Sequence, residues 1–222
     1  MMNVPNYSQR NGQWASKKMA PSSCTLGQFG CLVTCIAMQM KNYAIDVDPG
    51  TLTDALVKVN GFAPSGDLIL SGVEKAYPVV HYVDRTYSTN CPETNLMRTS
   101  VDAVIGSVRK LLRLGQPVPL WVDAVDHDQR ADHWVLAVDW ETDLVINDPW
   151  QGDQIRFKDR YGDPYKGIYG HLAYIGPPIS FPDSGTPDVG QAEWKLQQAL
   201  SILPIGTAKQ MVKEASDSLT RG

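Results

Sequence analysis

The chain has 222 residues, 43% apolar and 20% charged, with a formal net charge of −4. That length suits one domain with an appendage, able to bury a core without disulfide staples. The mild acidity gives no reason to expect nucleic acid or an anionic membrane as partner; no apolar run approaches the roughly 20 residues of a membrane span; and residues 1–7 lack the basic-then-apolar pattern of a secretory signal, so none is expected.

The first 30 residues read as irregular, with Trp14 as an anchor. Residues 31–40 form a helix, because Leu32, Val33, Ile36, Ala37 and Met40 make one apolar stripe. Asp48-Pro49-Gly50 opens a second helix that Asn60-Gly61 stops, and residues 67–76 read as a third. Residues 79–87 are strand-like. A fourth helix spans 100–114, with Val101, Val104, Ile105, Val108, Leu111 and Leu112 inward and Gly115 ending it. Then the period changes. Residues 119–125, 133–140, 144–148, 154–157 and 171–175 read as strands between turn residues. Helices followed by a mostly antiparallel sheet are an α+β arrangement. The expected division is a domain over 1–176, a Pro/Gly-rich linker over 177–190 and a helical tail over 191–222. The tail carries a stripe of Ala192, Leu196, Ala199, Leu200 and Leu203, which suits a protein partner or self-association.

Gly30-Cys31 reads as a sharp turn into a helix whose first residue is a thiol. Unpaired N–H groups and the positive end of the helix dipole favour a thiolate there. His133 follows in a strand and Asp148 in the next, joined by Glu141-Thr142-Asp143. Nucleophile, base and orienting carboxylate are the parts of a thiol hydrolase. Asn147 competes for the third role, but in a strand it points to the face opposite Asp148. Four cysteines are too few for a disulfide framework; Cys24 and Cys91 read as free thiols, with a pair in an oxidising setting as the alternative. The acidic stretch with Asp123, Asp126, His127, Asp128, Asp132 and His133 reads as a solvated loop, so no metal and no cofactor is expected. His81 and His171 read as ordinary strand residues. Trp134 and Trp150 are candidates for binding substrate; Trp140 belongs with them or with the core.

The opening Val4-Pro5-Asn6-Tyr7-Ser8-Gln9-Arg10-Asn11-Gly12-Gln13-Trp14, then Gly30-Cys31, His133-Trp134-Val135 and Asn147-Asp148-Pro149-Trp150, resembles the stand-alone branch of the bacteriocin-leader-processing cysteine peptidases, family thirty-nine of that class, over about residues 4–176. The resemblance implies a papain-like α+β fold, a helical half carrying Cys31 packed on a mostly antiparallel sheet. It implies a triad of Cys31, His133 and Asp148. Gln9 would be the side-chain donor of the oxyanion hole beside the N–H of Cys31. The stretch from Gln9 to Cys31 is longer than is typical of papain-like enzymes, which leaves Gln28 as the alternative. The expected activity is hydrolysis of a peptide or amide bond. The expected substrate is a peptide or peptidoglycan cross-bridge, cut by an endopeptidase or amidase of a phage lysin, a virion or a bacterium, cytoplasmic until released. The alternatives are a protein-processing cysteine peptidase, a catalytically silent papain-like member of an assembly, and a metal-dependent hydrolase built on the acidic loop.

Overall fold

The hydrophobic period changes from helical to alternating near Gly115, and the backbone changes with it. The computed structural model describes residues 2, 4–93, 95–123 and 132–176. Its elements are α1 (Leu26–Phe29), α2 (Cys31–Asn42), α3 (Pro49–Lys58), α4 (Ser71–Ala76), β1 (His81–Ser88), β2 (Arg98–Thr99), α5 (Val101–Arg113), β3 (Val118–Val122), β4 (His133–Trp140), β5 (Leu144–Asp148), β6 (Asp153–Arg156), α6 (Lys158–Tyr161), α7 (Pro164–Gly167) and β7 (Ile168–Ile175). The described strands form one sheet in the order β2-β1-β7-β3-β4-β5-β6. β1 and β2 run parallel; every other neighbouring pair is antiparallel. The fold class is α+β.

Local chemistry sets the helix starts. Asp48 caps α3 by accepting from the Thr51 N–H at 2.7 Å, while the Thr51 hydroxyl accepts from the Asp48 N–H at 2.9 Å. Pro49, with no N–H to lose, fits the first helical position. Ser100 caps α5 through the Ala103 N–H at 3.2 Å. Four short elements, α1, β2, α6 and α7, fall outside the sequence expectation, and three others start two or more residues from the expected place. α4 starts at Ser71 rather than near Asp67, because Phe62 bridges Leu68 and Ala63 donates to the Asp67 carbonyl at 2.9 Å. β1 starts at His81, because Val80 closes a turn onto Tyr77. β7 begins at Ile168, three residues before the expected start. The anticipated linker and tail, 177–222, lie outside the described residues.

The sheet is covered on both faces by α2 and α5, as the alternation along β4 requires. Val135 and Ala137 pack with Val104, Ile105, Val108 and Leu112 of α5. Trp134, Leu136 and Val138 pack with Cys35 and Met38 of α2. α2 carries a second stripe, Val33, Ile36, Ala37 and Met40, that meets Leu52 and Leu56 of α3 together with Trp14, Leu26 and Phe62. Helix α2 is therefore buried from several sides. Each fully buried Leu or Ile side chain stabilises such a core by roughly 1.5–3 kcal/mol. A rigid helix whose first residue is Cys31 is set against the sheet by this packing.

Candidate active site

Two short helices meet at Gly30, and the join explains why the residue before the thiol is a glycine. A Cβ at Gly30 would collide with the Leu26 carbonyl and side chain. The Gly30 N–H closes α1 on that carbonyl at 2.8 Å, while the Gly30 carbonyl accepts from Thr34 at 2.9 Å to open α2. Cys31 follows at the first turn of α2, half-exposed.

His133 is the first residue of β4, and Asp148 the last of β5. Leu136 stands opposite Asn147 in the antiparallel ladder. Asp148 therefore shares a face with Val135 and His133, and Asn147 lies on the other face. The His133 Nε2 sits 2.9 Å from Asp148 Oδ1, with both side chains buried. Asn147 instead donates to the Pro5 carbonyl at 3.0 Å and accepts from Gln154 at 2.8 Å. With Nε2 engaged by Asp148, Nδ1 is the nitrogen left to face Cys31.

Asp148 is 1% exposed and fully satisfied. Oδ1 also accepts from the Trp150 N–H at 2.9 Å, and Oδ2 from Arg160 Nη1 at 2.5 Å and the Tyr161 hydroxyl at 2.7 Å. Arg160 is itself held by a two-pronged pair with Asp153. Sequence reasoning missed Arg160 and Tyr161. They sit on α6, a single turn with no periodicity, and only the fold brings them to Asp148.

The electrostatics follow from this shell. Burial alone would lower the pKa of His133. The hydrogen bonds that the ring donates to Asp148 and Cys31, then the charges of the same two groups, outweigh it and push the imidazole up to about 9. Burial alone would raise Asp148; the His133 hydrogen bond and charge, then Tyr161 and the Trp150 N–H, hold it well below the usual carboxylate range. At neutral pH the pair is an imidazolium against a carboxylate, with the Cys31 sulfur in hydrogen-bonding reach of the ring.

Gln9 is 1% exposed and reaches the site from the N-terminal segment. Its backbone N–H bonds the Pro149 carbonyl at 2.8 Å, and its Nε2 donates to the Gly27 carbonyl at 3.2 Å. Gly152, at φ +74°, sits so close to Ser8 that a side chain there would collide at 2.7 Å. The Tyr-Ser-Gln segment is thereby docked on the turn that follows Asp148. Gln28 is exposed, and its Oε1 accepts from Thr25 Oγ1 at 3.0 Å in the cap of α1.

A cleft of about 300 Å³ joins these groups. Cys31, Gln9, Gln28, His133, Trp134 and Trp150 line it, together with Trp121 and Arg85, which the sequence reading did not single out. Trp150 meets the His133 ring edge-on at 6.2 Å between centroids, and the Arg10 guanidinium lies on Trp150 at 3.2 Å. Trp140 does not line the cleft; it packs beside α5 with Arg109 over its ring at 4.5 Å. All four cysteines are free. Cys35 and Cys91 are buried, and burial pushes both thiols up. His171 is buried on β7, where desolvation lowers it to about 4. His81 faces Glu74 at 3.3 Å. Of the acidic stretch, residues 124–131 lie outside the described residues. No helix among the described residues is long and apolar enough to cross a membrane.

The model of one protein family, described as the Peptidase_C39 like family, matches residues 1–172, which takes in every residue of the site above. No curated protein and no solved structure gives a significant match.

Proposed function

Because the chain belongs to the Peptidase_C39 like family, of papain-like cysteine peptidases, we propose that Cys31 attacks the carbonyl carbon of a peptide or amide bond with His133, Asp148 and Gln9 as its working partners. The observation that carries this is the buried 2.9 Å bond from His133 to Asp148, on one cleft with a thiol at a helix start. The Cys31 sulfur adds to the carbon as a thiolate, its proton already held on the His133 ring, and the carbonyl electron pair moves to oxygen. The Cys31 N–H and the second N–H of Gln9 Nε2 meet that oxyanion, where charge exists only in transit. The first N–H of the Gln9 amide is spent on Gly27, which fixes the orientation of the other; the cap role of Gln28 favours Gln9 over it.

His133 then gives its Nδ1 proton to the leaving amine, the C–N bond breaks and a thioester remains. The neutral imidazole takes a proton from water, hydroxide adds to the thioester, and the thiolate departs with the imidazolium restored. Asp148 moves no proton. It holds the ring in plane and keeps the imidazolium favourable throughout.

The substrate we infer is a peptidoglycan peptide, cut by a phage-associated or bacterial wall hydrolase. A cleft of about 300 Å³ with tryptophan walls suits a short peptide segment. The test is zymography on purified bacterial cell walls beside a digest of unfolded protein, for wild type and Cys31→Ala. Wall clearing that vanishes in Cys31→Ala is the expected result. Protein digestion with intact walls would replace this substrate by a protein-processing one. No thiol-dependent cleavage of either would leave a catalytically silent papain-like shell.

A further inference from the structure

Arg85 is a cation on the cleft wall with no carboxylate partner among the described residues. It lies on β1, opposite Leu172 of β7. Its guanidinium sits over three rings, at 4.9 Å from Tyr87, 5.0 Å from Trp121 and 5.4 Å from Trp134. Trp121 and Trp134 stack in parallel, 5.8 Å apart with 9° between planes, and Tyr87 meets Trp121 edge-on at 5.7 Å. Trp134 is the chain neighbour of His133, and Arg85, Trp121, Trp134 and His133 all face the same cleft.

Aromatic stacking engages the faces of a guanidinium and leaves its N–H fork unanswered. Among the described residues no carboxylate or carbonyl takes that fork, and Nε is buried with no hydrogen-bond partner. The neighbouring Asp84 is committed elsewhere, to the Arg85 backbone N–H and the Thr86 hydroxyl, each at 2.7 Å. The carboxylates on the cleft wall are engaged too: Asp67 takes the Ser65 hydroxyl at 2.7 Å, and Asp132 has partners of its own. Arg160, by contrast, has its fork filled by Asp153 and Asp148. An arginine held beside aromatic rings on the cleft wall, its Nε buried without a partner, matches a planar carboxylate supplied from outside.

We propose that Arg85 forms a carboxylate-recognising subsite of this cleft, so that the enzyme acts on peptides bearing a carboxylate close to the scissile bond, from an acidic side chain or a free chain end. This rests on the thiol-hydrolase reading, and its test separates the two. Matched alkylating reagents that differ only in charge probe Cys31 without the natural substrate: chloroacetyl-glutamic acid amide against chloroacetyl-glutamine amide for the side-chain source, and chloroacetyl-glycylglycine as free acid against its amide for the chain end. In each, the Cys31 thiolate displaces chloride, a C–S bond forms and the C–Cl bond breaks. Mass spectrometry of the digested full-length protein gives the rate at Cys31.

In wild type, the acid of at least one pair is expected to label Cys31 about tenfold faster than its neutral match, the size of one charge-assisted hydrogen bond. Arg85→Gln is expected to collapse that ratio, and Arg85→Lys, which keeps the charge and loses the fork, to retain part of it. The His133 imidazolium attracts anions in all three proteins, so the change in ratio isolates position 85. No acid preference in wild type overturns the subsite, whether or not the variants fold. So does a preference that survives in folded Arg85→Gln. A Cys31 that reacts with the neutral reagents no faster than buried Cys35 would instead overturn the thiol-hydrolase reading and the subsite with it.

Discussion

Four donors converge on the Asp148 carboxylate: the His133 ring, the Trp150 N–H, Arg160 and the Tyr161 hydroxyl. That crowd decides what the position tolerates. An amide has one acceptor oxygen, so Asp148→Asn must turn its NH₂ group toward either His133 or the Arg160 and Tyr161 donors. The variant is expected to fold and to lose turnover strongly, toward the roughly 10⁴-fold lost when the triad aspartate of a serine protease becomes an amide. Asn147→Ala removes only the bonds to Pro5 and Gln154 and is expected to cost far less. The pH profile follows from the same shell. His133, raised from 6.5 to about 9, keeps its proton through neutrality. Its contribution to stability is complete below about 6.5 and lost as pH rises through about 9. Asp148 is lowered, so its contribution is complete above about 4, the ordinary range, and lost as pH falls below it. The alkaline limb of kcat/KM is expected near pH 9, where the imidazolium disappears. In Asp148→Asn the main raising cause is gone while burial remains, so that limb is expected to move down. An alkaline limb that stays in place in Asp148→Asn would show that Asp148 does not set the charge of His133.

At the scale of elements, legibility followed length. α2, α3, α5 and β4 have enough residues for a period, and α3 and α5 carry the capping residues Asp48 and Ser100, so their chemistry was readable. α1, α6 and α7 have four residues each and β2 has two; one turn cannot show a period. That Asp148 rather than Asn147 shares a face with His133 was legible because a strand alternates faces. The placements of Arg160, Tyr161 and Arg85 were not, because each rests on contacts that only the assembled sheet creates. Gly30 lies between these cases: the sequence marks a turn, and the structure adds that Leu26 occupies the space a side chain would need. Gly30→Ala is expected to destabilise by about 1–3 kcal/mol, the range for overpacking a filled site, and to displace Cys31. Thermal denaturation and the alkylation rate of Cys31 read the two effects separately. A variant as stable and as reactive as wild type would mean that α1 yields freely, and that the join does not position the thiol.

At the scale of the molecule, the order of the strands differs from their order in the chain. β7, the last described element, lies between β1 and β3, and its end is fastened to α2: Gln39 Nε2 and the Tyr43 hydroxyl both donate to the Tyr174 carbonyl, at 3.3 and 2.9 Å. The N-terminal segment is fastened to the far side of the sheet through Gln9 on Pro149 and Asn147 on Pro5. Both ends of the described chain are therefore built into the catalytic unit. The family match ends at residue 172, within β7. From these fastenings we propose that residues 1–176 fold as one unit, with the stretch from 177 onward as a linker and a tail for docking or self-association. A chain cut after Gly176 is expected to keep its circular dichroism spectrum, its cooperative melting and its Cys31 alkylation rate, while light scattering reports weaker self-association or pull-down reports lost docking. A chain cut before Ile168 loses the strand between β1 and β3 and is expected not to fold, because β1 and β2 then have no sheet to join. Unfolding of the 1–176 chain would show that the tail completes the core.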